Sequence, residues 1–188
     1  MVTETDRSVG GRGRNPPGLA IFVRPHPKAT DLASELFIDL DTIDHDASVL
    51  TPAQLDAVLP QTGPMRMLDQ VLHLDIPTMT AVGIKRVRHD EFWVPHHIPG
   101  RPLLPGVLMI EAAAQLCSLV QTIGLDLKGF LGFTRCDETS FRGQVVPGDT
   151  LYLIARQIEQ NRRRFISRAQ GVVNGKLVFE TRITGMAI

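Results

Sequence analysis

The sequence predicts an α+β domain, a sheet wrapped around one helix, and three observations carry that expectation. The run 105–124 is apolar almost all the way round, so a helix formed there needs covering on nearly every side. Runs that alternate apolar and polar residues, the period of a half-buried strand, lie both before and after it. Near the end of the chain Asn174-Gly175 separates two such runs, the strongest short hairpin signal a sequence offers. One enclosed helix among antiparallel strands leaves an α+β layering as the economical arrangement.

The elements follow in order. Residues 1–30 are rich in Gly, Pro, Arg and Ser, lack apolar periodicity and are expected to be disordered or extended. They carry five basic and two acidic side chains, whereas residues 31–60 carry seven acidic and no basic ones. In residues 31–46 acids alternate with Leu32, Leu36, Phe37, Ile38, Leu40 and Ile43, an amphipathic segment expected to lie on the domain or on a partner. The extension is therefore placed at residues 1–50 and the domain at residues 51–188. Thr51-Pro52 reads as a helix start, Thr51 capping and Pro52 at the first helical position. Strands are expected over 70–76 and 80–87, divided by Pro77, then over 129–135 leading to Phe141, over 150–160, and in a hairpin over 165–185 after a turn at 161–163. Gly124 is the expected stop of the long helix.

Composition bounds the function. Lys+Arg and Asp+Glu are equal at 20 each, so bulk charge gives no reason to expect nucleic acid or an anionic membrane as partner. Cys117 and Cys136 are too few for a disulfide framework. The first residues lack the apolar core of a secretory signal, and no uninterrupted apolar run reaches a membrane span, so a cytoplasmic protein without membrane insertion is expected.

The chemistry gathers between Trp93 and Gln115. Two Pro-Gly pairs, Pro99-Gly100 and Pro105-Gly106, precede the helix, and such a turn leaves backbone N–H groups unobstructed at the positive end of the helix dipole. At 3.6 residues per turn Glu111, Gln115, Ser118 and Thr122 share one face, a polar stripe without Lys, Arg or Asp on an otherwise apolar helix. His97 is the candidate base, since neutral imidazole accepts a proton near neutral pH. An acid, a base and an anion-holding helix start are what proton abstraction beside a carbonyl requires. His96-His97 is not expected to bind metal, because adjacent histidines on extended chain point apart and no further ligand sits at a zinc spacing. No cofactor is expected.

The stretch His97-x-Pro-Gly-x-Pro-x-x-Pro-Gly-Val-x-x-x-Glu-Ala-x-Ala-Gln115 resembles the signature of the β-hydroxyacyl-acyl-carrier-protein dehydratases of type II fatty-acid synthesis, in the branch that does not isomerise. The resemblance extends upstream through Leu59-Pro60, Pro64-Met65 and Met67-Leu68-Asp69. Downstream it continues through Phe133, Asp137-Glu138, Phe141-Arg142 and Val145 to Asp149, and so covers about residues 55–188. It implies a hotdog fold, a homodimer with one continuous sheet, often a trimer of dimers, and active sites that draw their histidine and glutamate from different subunits. It further implies dehydration of a (3R)-hydroxyacyl thioester, carried on acyl carrier protein or CoA, to the trans-2-enoyl thioester. By position His97 is then the base and Glu111 the acid. The N–H groups of Gly106 and Val107 hold the thioester oxygen, and Gln115 orients Glu111. Met109, Ala113, Leu116 and Phe133 are expected along the acyl tunnel on apolar character alone. Arg86, Arg88, Arg162, Arg163 and Arg164, with Lys85 and Arg168, are candidates for docking an acidic carrier protein.

Three positions depart from the family pattern: His96 stands for a glycine, Gly63 for a tyrosine that gates the tunnel, and Arg66 lies in an apolar segment. A hotdog thioesterase and a non-catalytic acyl-binding subunit are the competing expectations.

Overall fold

The protein is described here by a computed structural model covering residues 35–125, 129–161 and 164–188. The expectation for residues 1–30 and the turn at 161–163 lie wholly or partly outside the described residues, as do Arg162 and Arg163.

Among the described residues six strands form one antiparallel sheet: β1 (Gln70–Asp75), β2 (Thr80–Arg86), β3 (Leu131–Phe141), β4 (Thr150–Gln160), β5 (Arg164–Val173) and β6 (Lys176–Ala187). Their spatial order is β1-β2-β4-β5-β6-β3, which leaves β1 and β3 at the edges. The β5–β6 turn falls at Asn174-Gly175, both with positive φ (50° and 72°), as a two-residue hairpin between right-twisting strands requires. A short helix α1 (Pro52–Val58) and a long helix α2 (Gly106–Gly124) complete the domain, with 3-10 turns at Leu40–Thr42 and Gly63–Met65. This is the α+β hotdog architecture expected from the sequence.

The sheet curls around α2, which packs against β2, β4, β5, β6 and β3. By length and composition α2 could cross a membrane, yet Ala112, Ala113, Leu116, Cys117 and Leu119 are fully buried within the domain. The two faces of β4 sort by the period of two: Leu151, Leu153 and Ala155 join α2 in the main core, while Ile154 faces the other way. Gly83 on β2 lies directly beneath the helix. A Cβ there would stand 3.2 Å from Leu116 Cδ1 and 3.3 Å from Leu68 Cδ2, tighter than ordinary packing.

Among the described residues, part of the segment placed in the extension packs on the sheet. Leu36, Phe37, Ile38, Leu40 and Ile43 cover Val82, Ile154 and Val172 on the face of the sheet turned away from α2. The strap is held by polar bonds as well. Gln170, fully buried, accepts from Phe37 N–H (2.9 Å) and donates to the Glu35 carbonyl (3.1 Å). Arg156 donates to the Phe37 carbonyl (2.9 Å), and the guanidinium groups of Arg156 and Arg168 lie 5.3 and 5.9 Å from the centre of the Phe37 ring. The acids that alternate with these apolar residues leave Asp39, Asp41 and Asp44 exposed on the other side of the strap.

Candidate active site

The loop between β2 and α2, residues 87–105, carries the histidine and is fastened at several points. Val87 N–H donates to Asp149 O (2.9 Å) and Gly148 N–H returns to Val87 O (2.8 Å), while Leu104 N–H donates to Val145 O (2.8 Å). Between these ties Trp93 is 2% exposed, and its carbonyl accepts from the N–H groups of both His96 (3.0 Å) and His97 (2.8 Å). His97 Nδ1 lies 2.9 Å from the Leu103 carbonyl. A carbonyl only accepts, so Nδ1 carries the proton of the neutral ring and Nε2 presents its lone pair to the exterior, where the side chain is exposed.

The helix start follows. Pro105 caps α2 without a side-chain bond, and its carbonyl accepts from Leu108 (2.9 Å) and Met109 (3.3 Å). The N–H groups of Gly106 and Val107 donate to no group among the described residues, and they stand where the dipole of a 19-residue helix is most positive. A Cβ at Gly106 would stand 2.7 Å from the Phe141 ring, so a larger residue there would displace that ring. Val107 is exposed.

One and a half turns further, Glu111 is half-buried, and among the described residues no cation pairs with it. Its carboxyl accepts from Gln115 Nε2, which donates to Oε1 (2.8 Å). Gln115 is fully buried and locked: the same Nε2 donates to Met65 O (2.7 Å), and Oε1 accepts from Met67 N–H (2.9 Å). The segment 65–67 therefore grips the amide that grips the carboxyl. Among the described residues of one chain, no hydrogen bond or ion pair joins His97 to Glu111.

Other candidate residues fall elsewhere. Met109, Ala113 and Leu116 are 3%, 0% and 0% exposed and pack into the main core, while Phe133 lies half-exposed on edge strand β3. The cavity beside α2, about 320 Å³, is lined instead by Leu59, Gln61, Ser118, Thr122, Phe130 and Leu131, on the continuation of the polar stripe. Met109, Ala113 and Leu116 thus lie on the side of the helix that the sheet covers, and this cavity lies along the side that the sheet leaves free.

Arg86 and Arg88 are exposed as expected, but both are engaged. Arg86 donates to Gln70 Oε1 (2.5 Å), and Arg88 pairs with Asp69 (3.4 Å) and Asp90 (3.5 Å). Arg164 pairs with Glu159 (2.9 Å), and Arg168 lies 3.9 Å from Glu138. Lys85 departs outright from the surface role. Its side chain is 2% exposed, with Nζ 3.0 and 2.8 Å from the two oxygens of Glu91. The period of β2 accounts for this, since Ala81, Gly83 and Lys85 share the face turned to α2; a charge at that register has to be paired inside.

The Glu91 carboxylate also accepts from Arg88 N–H (2.9 Å) and Trp93 Nε1 (3.0 Å). Burial pushes its pKa up, but the hydrogen bonds from Lys85, Arg88 and Trp93 with the Lys85 charge outweigh it, and the pKa falls below the usual 4.5. Cys117 is the opposite case. Burial pushes its thiol up to about 12 despite a hydrogen bond with Ser167, so it is an inert core residue.

Two of the departures acquire structural reasons. Arg66 turns away from the helix to α1, donating to Asp56 Oδ1 (2.6 Å), the Leu59 carbonyl (3.1 Å) and the Gln61 carbonyl, so it closes the end of that helix. Gly63 has φ +54°, a left-handed conformation that a tyrosine would adopt only with strain.

Comparison with known proteins bears on the fold and the lineage. The FabA-like domain family matches residues 59–182. The 3-hydroxyacyl-(acyl-carrier-protein) dehydratase FabZ of Acetivibrio thermocellus is 35% identical over 136 residues, 72% of this chain and 92% of that protein. Among solved structures, a chain of the dehydratase heterocomplex ApeI:P from Xenorhabdus doucetiae superposes with a TM-score of 0.61 at 16% identity, covering 71% of this chain and 90% of the other. The TT0310 protein of Thermus thermophilus superposes with a TM-score of 0.50 at 22% identity, covering 63% and 90%. At those identities the two structures speak for the fold, while the family match and the curated relative decide the lineage: this chain belongs to the FabA-like family of hotdog dehydratases.

Proposed function

We propose that the protein is a cytoplasmic 3-hydroxyacyl-acyl-carrier-protein dehydratase, removing water from a (3R)-hydroxyacyl thioester to give the trans-2-enoyl thioester in fatty-acid or related acyl-chain synthesis. One observation carries the reading. Each of the two groups the reaction needs is held by a side-chain hydrogen bond at the atom turned away from the reaction, His97 through Nδ1 and Glu111 through Oε1. Nε2 and Oε2 are left to the substrate.

In this mechanism Nε2 of His97 takes the proton from C2 as the thioester oxygen gathers negative charge. The N–H groups of Gly106 and Val107 receive that oxygen at the helix start. The C2–H electron pair becomes the C2=C3 bond while the C3–O bond breaks. Glu111 gives its proton to the departing hydroxyl, which leaves as water, and proton exchange with solvent restores both side chains. The acyl chain runs along the polar-stripe side of α2 toward the cavity at Ser118 and Thr122.

Among the described residues no hydrogen bond or ion pair joins His97 to Glu111 within one chain, and β3 is an edge strand of 11 residues, whose outer side is open to pairing. Two copies joined edge to edge through β3 make one continuous sheet and bring the histidine of one protomer to the glutamate of the other. Assembly of three such dimers is compatible with this arrangement, and the substrate's carrier docks at the rim beside Arg86 and Arg88.

The test is to incubate the purified protein with a 3-hydroxyacyl thioester on carrier protein and, separately, on CoA, following enoyl absorbance and free thiol together. Enoyl product without thiol is the expected result. Thiol release in place of enoyl product would make the protein a thioesterase. Acyl binding with neither product would make it a non-catalytic subunit.

A further inference from the structure

We infer that the buried ion pair Lys85–Glu91 is a positioning device for the imidazole of His97, acting through Trp93. This deepens the proposed function, since it rests on His97 being the base.

The path is short and has no slack. Lys85 is fixed in β2, at the register where the strand faces α2, and directs Nζ at both oxygens of Glu91. The same two oxygens receive the Arg88 N–H and the indole N–H of Trp93, so the carboxylate accepts four hydrogen bonds and has one orientation. Trp93 is thereby set at its ring. At its other end its carbonyl accepts from the His96 and His97 N–H groups, and the turn is closed once more by Val94 N–H donating to Glu91 O (3.0 Å). From Glu91 to His97 every step is a backbone turn or a bond to Trp93. The last restraint, Nδ1 on the Leu103 carbonyl, is a single bond to a neutral acceptor and depends on the backbone delivering the ring to it.

An apolar pair at 85 and 91 would fill the same space and bury Trp93 equally well. What it could not do is fix the direction of the indole N–H, and with it the carbonyl that seats His97. Buried ion pairs contribute little net stability compared with apolar replacements, and their best-attested use is to specify one arrangement among several. Here the arrangement specified is that of the loop bearing the base.

The experiment compares the wild-type protein with the double variant Lys85→Met/Glu91→Leu, which removes both charges and the acceptor of the Trp93 N–H and leaves neither charge buried alone. The expected result is a folded dimer whose KM for the 3-hydroxyacyl thioester stays within about threefold of the wild type, while kcat falls about ten- to hundredfold. A second readout does not depend on activity: nitrogen NMR of protein labelled at histidine, with the His97 signals identified by their loss in His97→Ala. The wild type should show His97 protonated at Nδ1, and the double variant a mixture of both tautomers. Should the double variant fail to fold, Trp93→Phe keeps the buried ring and removes only the bond to Glu91. It should give the same tautomer mixture with a smaller loss of kcat. A folded variant with unchanged kcat and an unchanged His97 tautomer would overturn the inference and make the ion pair a packing feature only. If the wild type lacks dehydratase activity, the proposed function fails, while the tautomer comparison still decides whether the pair positions His97.

Discussion

Gln115 Nε2 stands 2.8 Å from Glu111 Oε1 and 2.7 Å from the Met65 carbonyl, so one buried amide ties the proposed acid to a segment 50 residues earlier in the chain. The carboxyl of Glu111 is therefore placed by three elements at once: its own helix, the side chain one turn on, and the strand-entry segment 65–67. Substitution at 115 tests that arrangement. Gln115→Leu leaves the buried Met67 N–H without its partner, which costs about 1–3 kcal/mol, and removes the part-buried bond to the Met65 carbonyl. Turnover should fall at least tenfold with KM little changed, measured by enoyl absorbance on protein confirmed to be folded.

His97→Ala and Glu111→Gln should each lower turnover by roughly a hundredfold or more, since each removes one of the two proposed proton-transfer groups. Near-full activity in either variant would end the role assigned to that residue.

Mixing those two inactive variants, after subunit exchange has been demonstrated by mass, should restore up to about a quarter of the wild-type activity. Half of the dimers are then mixed and one of their two sites is intact. No recovery would place both groups of each site in the same chain.

The strap should matter to stability and not to chemistry, because it lies on the face of the sheet turned away from α2. Phe37→Ala removes a half-buried ring and should cost about 1–2 kcal/mol, lowering the melting temperature by roughly 2–8 °C. kcat should stay within about twofold of the wild type.

Acid should weaken the loop bearing His97 through Glu91. Its folded pKa lies below the unfolded 4.5, so its stabilising contribution is complete above pH 4.5 and is lost as pH falls through the folded value. Between pH 6 and pH 3 the melting temperature should therefore drop more steeply for the wild type than for Lys85→Met/Glu91→Leu. Parallel curves would mean that Glu91 titrates alike in both states.

Much was settled by residue order alone. The enclosed helix, the six strands and the Asn174-Gly175 hairpin follow from apolar period and turn chemistry, which act over a few residues. The Pro-Gly entry to α2 and the shared face of Glu111 and Gln115 follow from the helical repeat in the same way. What needed the folded chain were partnerships between distant segments. Lys85 read as a docking-surface candidate until the register of β2 turned it inward toward Glu91; Arg66 read only as a departure from an apolar segment until its bonds to α1 were in view; the segment 31–46 was open to the domain or a partner until Gln170 and Phe37 met across 133 residues. The cavity beside Ser118 and Thr122 was not legible for the same cause, since hydrophobicity marks which side of a helix is covered and says nothing of where space remains. Local periodicity is written in neighbouring side chains, whereas the pairing of a buried charge depends on which strands lie side by side, and only closure of the sheet around α2 decides that.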